Sequence, residues 1–310
     1  MSDKRNFSAC SGCSLCLLSC PVWRSTHDIR LTPHGRAKAM QHGASANDLL
    51  ESIGSCTLCG ACEPACPENI DLIAMVTGLR GELPSRPEIL FDGVSPAPTD
   101  QVSTPTILLI NAELANHPGL VTSIIHLFGG DIAISLASDS GTDISLALCE
   151  GAKIADERLS AFLAPLKTTL RVIAADGHLQ FALKSWLPGV TVVSLGEALS
   201  TLPPVRGNLR DGDLYVIEAV AFHRDHARLI SHYDNLRLTT GCTMNLDMQR
   251  MAIPATFSAR HSGRVNADDQ VRWILEGRQP SRIVVEDVAD IAAFQRISNT
   301  PVVHLAAVAS

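Results

Sequence analysis

Eight of the ten cysteines in this 310-residue chain fall within its first 66 positions, in two runs of one design. The first reads Cys10-Ser-Gly-Cys13-Ser-Leu-Cys16-Leu-Leu-Ser-Cys20-Pro21. The second reads Cys56-Thr-Leu-Cys59-Gly-Ala-Cys62-Glu-Pro-Ala-Cys66-Pro67. Both are C-x2-C-x2-C-x3-C-P, a spacing that ligates 4Fe–4S cubanes. A cubane has four iron corners, each wanting one thiolate. Three cysteines spaced by two residues share one tight loop and cap three corners. The fourth is too close in sequence to close the same cube and ligates the other cluster. One cluster is therefore expected on Cys10, Cys13, Cys16 and Cys66, and a second on Cys56, Cys59, Cys62 and Cys20. This crossing would hold the two clusters near each other, as electron hopping requires. Pro21 and Pro67 have no backbone N–H and end each loop.

Other chemistries fit these residues less well. Structural zinc would use one Cys pair from each half and leave the rest without purpose. A disulfide framework belongs to small secreted domains, and the N-terminus Met1-Ser-Asp-Lys-Arg-Asn lacks the apolar stretch of a secretory signal. Cys149 lies in an apolar segment and reads as a buried, inert thiol. Cys242 follows Thr-Thr-Gly in a loop-like context and reads as an ordinary thiol. His223 and His226, with Asp225 between them and His232 beyond, could form a metal face, but a solvated polar turn is the plainer reading. Lys4, Arg5 and Arg24 could dock an acidic electron donor, against a plain solvated surface. The chain has no Gly-x-Gly-x-x-Gly after a strand, no P-loop and no Gly-x-Ser-x-Gly elbow, so no nucleotide, flavin or hydrolase signature is present.

The cysteines need a scaffold that brings residue 66 to residue 10 and residue 20 to residue 56. Between the runs, Thr32-Pro33 signals a short helix over Gly35–His42, and Asn47 and Gly54 bracket another as cap and stop. Beyond Pro67, apolar residues at 70, 72, 73, 76 and 79 trace a helical stripe. The clusters are thus expected in a small helical domain over residues 1–82. A proline-rich linker spans 83–105. From Thr106 onward, strand patterns alternate with helical ones. Strands are expected at 106–111, 132–136, 170–174, 190–194, 214–219, 283–286 and 302–305. Helices are expected near 120–128, 156–165, 179–186, 197–202, 271–275 and 291–297. This alternation implies parallel sheets. The segments 106–205 and 206–310 have similar length and order and read as a weak internal duplication. The expected fold class is α+β overall, a helical ferredoxin-like dicluster domain followed by two α/β units with parallel sheets.

Composition bounds the function. The net charge is −7, which argues against a general nucleic-acid binder. No apolar run approaches the ~18–20 residues of a membrane span. A cytoplasmic protein is expected, membrane-peripheral only through a partner.

The cysteine-rich region resembles the iron–sulfur subunits of the heterodisulfide reductase C/D, anaerobic glycerol-3-phosphate dehydrogenase C, glycolate oxidase and lactate-utilisation families. There, two such runs sit at a similar interval, and a Pro-x-Gly-Arg segment like Pro33-His-Gly35-Arg36 often follows the first. The remainder looks like the two CCG domains of those families, but without their cysteines. Ala112-Glu113 stands where the family's first unit has Gly-Cys. Its Cys-Cys-Gly would fall near Asp139-Ser140-Gly141, and a later Cys-x-x-Cys near Asp176-Gly177-His178. In the second unit, His223-Arg-Asp-His226 is a counterpart of a His-Asp-Pro-Cys motif, and Cys242 alone could survive from a second Cys-Cys-Gly. In the family those cysteines bind a further cluster or serve a catalytic or electron-transfer site.

The resemblance implies an electron-transfer subunit of a cytoplasmic oxidoreductase complex, passing electrons between a flavoprotein partner, or other redox subunits, and a second acceptor through two 4Fe–4S clusters. With no substrate-pocket signature, specificity would lie in the partner. Two alternatives stand beside it. One is a catalytic heterodisulfide-reductase-like chain with a residual site near Cys242 or His226. The other is a partner- or carrier-binding scaffold whose clusters are structural.

Overall fold

The computed structural model describes residues 4–83, 105–130, 133–248, 250–256 and 262–309. Most of the expected linker, residues 84–104, lies outside the described residues.

Residues 4–83 are mainly helical. Pro21 opens helix α2 (Pro21–Thr26), directly after α1 (Leu15–Leu18). Helix α3 spans Pro33–Gln41 and is capped by Thr32, whose hydroxyl accepts from Gly35 N–H at 3.2 Å. Helix α4 (Leu50–Ser55) departs from expectation at both ends. Asn47 is not its cap, because Ser45 and Asp48 close a turn of their own, Ser45 N–H donating to Asp48 at 2.9 Å. Gly54 lies inside the helix rather than ending it. Helix α5 (Leu72–Gly81) carries the apolar stripe and is capped by Asp71. Arg5 pairs in parallel with Ile70, which fixes the N-terminus beside the second cysteine run. The core of this region includes Ala37, Ile53, Leu58, Ile70 and Val76.

Two four-stranded parallel sheets follow. The first contains β1 (Thr106–Leu109), β2 (Ile134–Leu136), β3 (Arg171–Ala174) and β4 (Thr191–Ser194), in the order β2-β1-β3-β4. The second contains β5 (Asp213–Val216), β6 (Thr243–Met244), β9 (Arg282–Val285) and β10 (Val302–His304), in the order β6-β5-β9-β10. Each block places its first strand between its second and third, the same topology twice, as a duplication would leave. A short antiparallel pair, β7 (Leu246–Asp247) with β8 (Met251–Ala252), was not expected.

The period-2 alternation of strand side chains divides the cores. Leu108, Ile173, Tyr215 and Val284 point into one continuous core shared by both sheets. Their neighbours Ile107, Leu109 and Val172 face helices of the first block. Leu214, Val216, Ile283 and Val285 face helices of the second. The two α/β blocks are therefore fused through one face of each sheet.

Several segments differ from the sequence pattern. The expected strand 214–219 stops at Val216, because Glu218 caps helix α13 (Ala219–Arg224), accepting from Val220 and Ala221 N–H at 3.0 and 2.7 Å. The residues around His223–His232 are not a turn. They form α13 and then α14 (His226–Thr240). Helix α8 (Thr142–Glu150) was also unforeseen and begins after Gly141 in the left-handed region.

Candidate metal centres

The two cysteine runs follow the same backbone course. Gly12 and Ser14 take positive φ in the first run, and Leu58 and Gly60 take it at the matching positions of the second. Leu58, like Ser14, carries a Cβ, which disfavours this conformation by ~1–2 kcal/mol. Leu58 is fully buried, so core packing holds it there. These turns fold each C-x2-C-x2-C segment around a hollow.

The hollows are completed across the runs. One cavity is lined by Cys10, Cys13, Cys16 and Cys66. Another is lined by Cys20, Cys56, Cys59 and Cys62. Pro33 lines both, so the cavities lie one residue apart. The Ser19 hydroxyl donates to Ala61 carbonyl at 3.0 Å and ties the two runs together between them.

All eight thiols are free. Among the described residues no three His, Cys, Asp or Glu groups converge tightly enough for a single metal ion. A tetrahedral zinc site would bring its sulfurs to about 3.8 Å of each other, from a Zn–S bond of about 2.3 Å. Thiols spread around a hollow fit a larger polynuclear group.

The two centres differ in environment. Cys13 is exposed and Cys10, Cys16 and Cys66 are half-buried, whereas Cys20, Cys56, Cys59 and Cys62 are all buried. Burial pushes the Cys16 and Cys59 thiols up to about 12 and Cys62 well above its ordinary value. Burial also raises Cys20, against N–H donors from Trp23 and Val22 at the start of α2. In a buried group of this kind the thiolate needs a cation. Cationic iron would supply it, and Arg36 lines the second cavity with its Nε buried and without a hydrogen-bond partner. The residues present therefore fit an anionic, thiolate-bound cluster.

The second centre is tied to both α/β blocks. Arg80, at the end of α5, donates to Cys56 carbonyl at 2.9 Å and to Cys149 carbonyl at 2.7 Å. His223 on α13 is bonded to Cys59 carbonyl at 2.8 Å. Gly60 makes room for this contact, since a Cβ there would lie 3.1 Å from His223 Cβ. The remaining candidate residues are accounted for differently. His223 has its other ring nitrogen on Ala252 N–H, so neither nitrogen is open to a metal. His226 Nε2 is bonded to Arg250 carbonyl at 2.8 Å, and His232 to Ser200 at 2.9 Å. Cys242 is buried in the shared core with its thiol 3.1 Å from the Thr240 hydroxyl. Lys4 pairs with Glu63, Arg5 with Glu68, and Arg24 with Glu276 while stacking on Trp273. These basic side chains are thus engaged within the chain.

A third cavity lies where the first sheet's order reverses, beyond the carboxyl ends of β1 and β3. Such switch points are where open α/β sheets bind ligands. It gathers Asn111, Ser140, Gly141, Asp176 and His178, with Cys149 on its wall. The Asp139-Ser140-Gly141 and Asp176-Gly177-His178 segments singled out by sequence thus meet in space. The same point in the second sheet holds a buried carboxyl group. Buried Glu286 there accepts from the Tyr215 and Tyr233 hydroxyls at 2.6 and 2.8 Å and from Glu218 N–H at 2.8 Å. Sequence reasoning missed Glu286 and Arg80. Neither has a local signal, as their partners are distant in the chain.

Among the described residues no helix is long and apolar enough to cross a membrane. The family model for the 4Fe-4S dicluster domain matches residues 6–70. No curated protein and no solved structure matches the chain. The segment matched contains both cysteine runs, so the chain is an iron–sulfur protein, with iron–sulfur electron transfer as the chemistry its first domain suggests.

Proposed function

We propose that the chain is the electron-relay subunit of an oxidoreductase complex, carrying electrons through two 4Fe–4S clusters between a flavoprotein partner and a second acceptor. The observation that carries this is the crossed grouping of eight free cysteines around two cavities that share Pro33. Cys10, Cys13, Cys16 and Cys66 would hold one cluster, and Cys20, Cys56, Cys59 and Cys62 the other. A bound cluster supplies reversible one-electron chemistry. The chain supplies spacing, burial and hydrogen bonds that set its potential. The exposed Cys13 side offers the port for the partner, and the contacts of Cys56 and Cys59 face the α/β blocks. The resemblance to heterodisulfide reductase and related iron–sulfur subunits, the cytoplasmic setting and the division into dicluster domain, linker and two CCG-like units belong to this proposal. Gentle native isolation tests it. Co-purification with a flavin-containing protein, and reduction of the clusters by that protein, is the expected result. Isolation without any redox partner, together with clusters that no electron donor reduces, would refute it.

One observation favours a second reading, in which the chain itself acts on a small molecule. The open cavity beyond β1 and β3 has Cys149 on its wall, and Arg80 joins Cys149 to Cys56 of the second centre. Turnover by the isolated chain, lost in Cys149→Ser, would favour that reading over the relay.

A further inference from the structure

Two arginines beside the second centre are buried without a buried carboxylate to match them. Arg36, on α3, is 1% exposed. Its Nη1 donates to Leu31 carbonyl at 2.9 Å and to Ser52 carbonyl at 2.7 Å, and its Nε has no partner. No acidic side chain pairs with it among the described residues. Arg80 is 3% exposed, and it too directs its guanidinium to carbonyls, those of Cys149, Cys56 and Ile53. The nearest carboxylate paired with it, Glu150, stands 3.8 Å away and is partly open to solvent. An isolated buried cation is costly unless an anion lies close by. The cavity that Arg36 lines is the one bounded by Cys20, Cys56, Cys59 and Cys62.

The first centre lacks such an arrangement. No arginine or lysine lines its cavity, whereas Glu68 does. Lys38 reaches its loop, donating to Cys10 carbonyl at 2.9 Å, but is half-buried and so partly screened by water. Near the second centre, the carboxylate of Glu63 is balanced by Lys4 and Arg224.

Resting on the two-cluster reading, we infer that Arg36 and Arg80 make the buried Cys20/Cys56/Cys59/Cys62 centre the electron sink of the pair. Reduction adds one negative charge to a cluster. Burial alone opposes that charge, and two cations unscreened by solvent favour it. The exposed centre has no comparable pair. Electrons entering at the Cys13 side would therefore settle on the inner centre, next to the α/β blocks. Arg36 and Arg80 act here as positioning residues for charge, through the cluster and without contact with any substrate.

The test is EPR-monitored redox titration of the full-length holoprotein and of Arg36→Gln, Arg36→Lys and Arg80→Gln, each with its iron content measured. Wild type should show two separate potentials. Arg36→Gln should lower the upper one by at least tenfold in the reduced-to-oxidised ratio, ~59 mV for one electron, and leave the lower one in place. Arg80→Gln should act in the same direction, and Arg36→Lys should stay near wild type. Loss of the inner cluster in Arg36→Gln but not in Arg36→Lys would also support a role for the charge. Unchanged potentials in both Gln variants with full iron would overturn the inference. So would equal loss of the cluster in Arg36→Gln and Arg36→Lys, since the hydrogen bonds to Leu31 and Ser52 would then be the whole role. A wild-type protein holding no clusters would instead refute the reading on which the inference rests.

Discussion

His223 Nδ1–H donates to the carbonyl of Cys59 across 2.8 Å, while its Nε2 accepts the N–H of Ala252 at 3.0 Å. The Ala252 bond fixes the tautomer, because an N–H can be accepted only by a bare ring nitrogen. Burial pushes the imidazolium down to about 3, so this bridge keeps one protonation state across the physiological range. It joins α13 of the second α/β block to the loop of the inner centre. His223→Ala would leave a buried carbonyl and a buried N–H without partners and open a cavity. A loss of about 3 kcal/mol is expected, with faster bleaching of the inner cluster by a chelator. Thermal unfolding and chelator kinetics check this, and wild-type values in both would refute the bridging role.

Helix α5 meets α8 through glycines. A Cβ on Gly151, which has φ of +64°, would fall 1.9 Å from Thr77 carbonyl oxygen. Neither the conformation nor the space tolerates a side chain. Gly151→Ala should separate the helical region from the first α/β block and destabilise the protein by roughly 2–3 kcal/mol. A melting temperature within one degree of wild type would show that this contact does not matter.

The buried carboxyls at the second sheet's switch point give a pH signature. Burial pushes Glu286 up to about 7, against the donors Tyr215, Glu218 N–H and Tyr233, and pushes Glu218 up to about 8. Both folded values lie above the ordinary carboxylate value. Their contribution to stability is therefore complete below that value and is lost as pH climbs through 7 to 8. Stability should fall from about pH 4.5 to about pH 7 for Glu286, and on to about pH 8 for Glu218, by on the order of 3 kcal/mol for Glu286. Glu286→Gln, neutral at every pH, should flatten that part of the profile. Equal slopes in the two proteins would contradict this account.

The cysteine pattern was legible because ligand spacing is local. The expected crossing of Cys20 and Cys66 came from the same spacing, and Cys66 lines the cavity of the first run and Cys20 that of the second. The alternation of Ile107, Leu108 and Leu109 made β1 readable, but not that Leu108 faces a core shared with the second sheet. Helix α14 was hidden because only Leu229, Tyr233 and Leu236 are buried among polar neighbours. Helix α8 was hidden because its first residue follows a left-handed glycine and not a side-chain cap. Arg36 and Arg80 sit in helices where a charged residue normally signals solvent. The thiol-lined cavity beside Arg36 and the carbonyls of Cys56 and Cys149 that Arg80 serves give their burial a reason.

The crossed grouping itself makes a prediction distinct from the cluster count. Cys66→Ser should impair the cluster of the first run, and Cys20→Ser that of the second. Each should reduce iron from about eight to about four per chain. EPR of the reduced variants should show a single uncoupled cubane, with the Arg36→Gln shift surviving in Cys66→Ser and absent from Cys20→Ser. The opposite pairing of shift and variant would mean that each run closes its own cluster.

The most direct test is anaerobic iron and sulfide analysis of the full chain, with EPR of the dithionite-reduced protein. About eight iron and eight sulfide per chain, with the broadened signal of two interacting cubanes, is the predicted result. About four iron, or an iron signal without sulfide, would contradict the two-cluster relay.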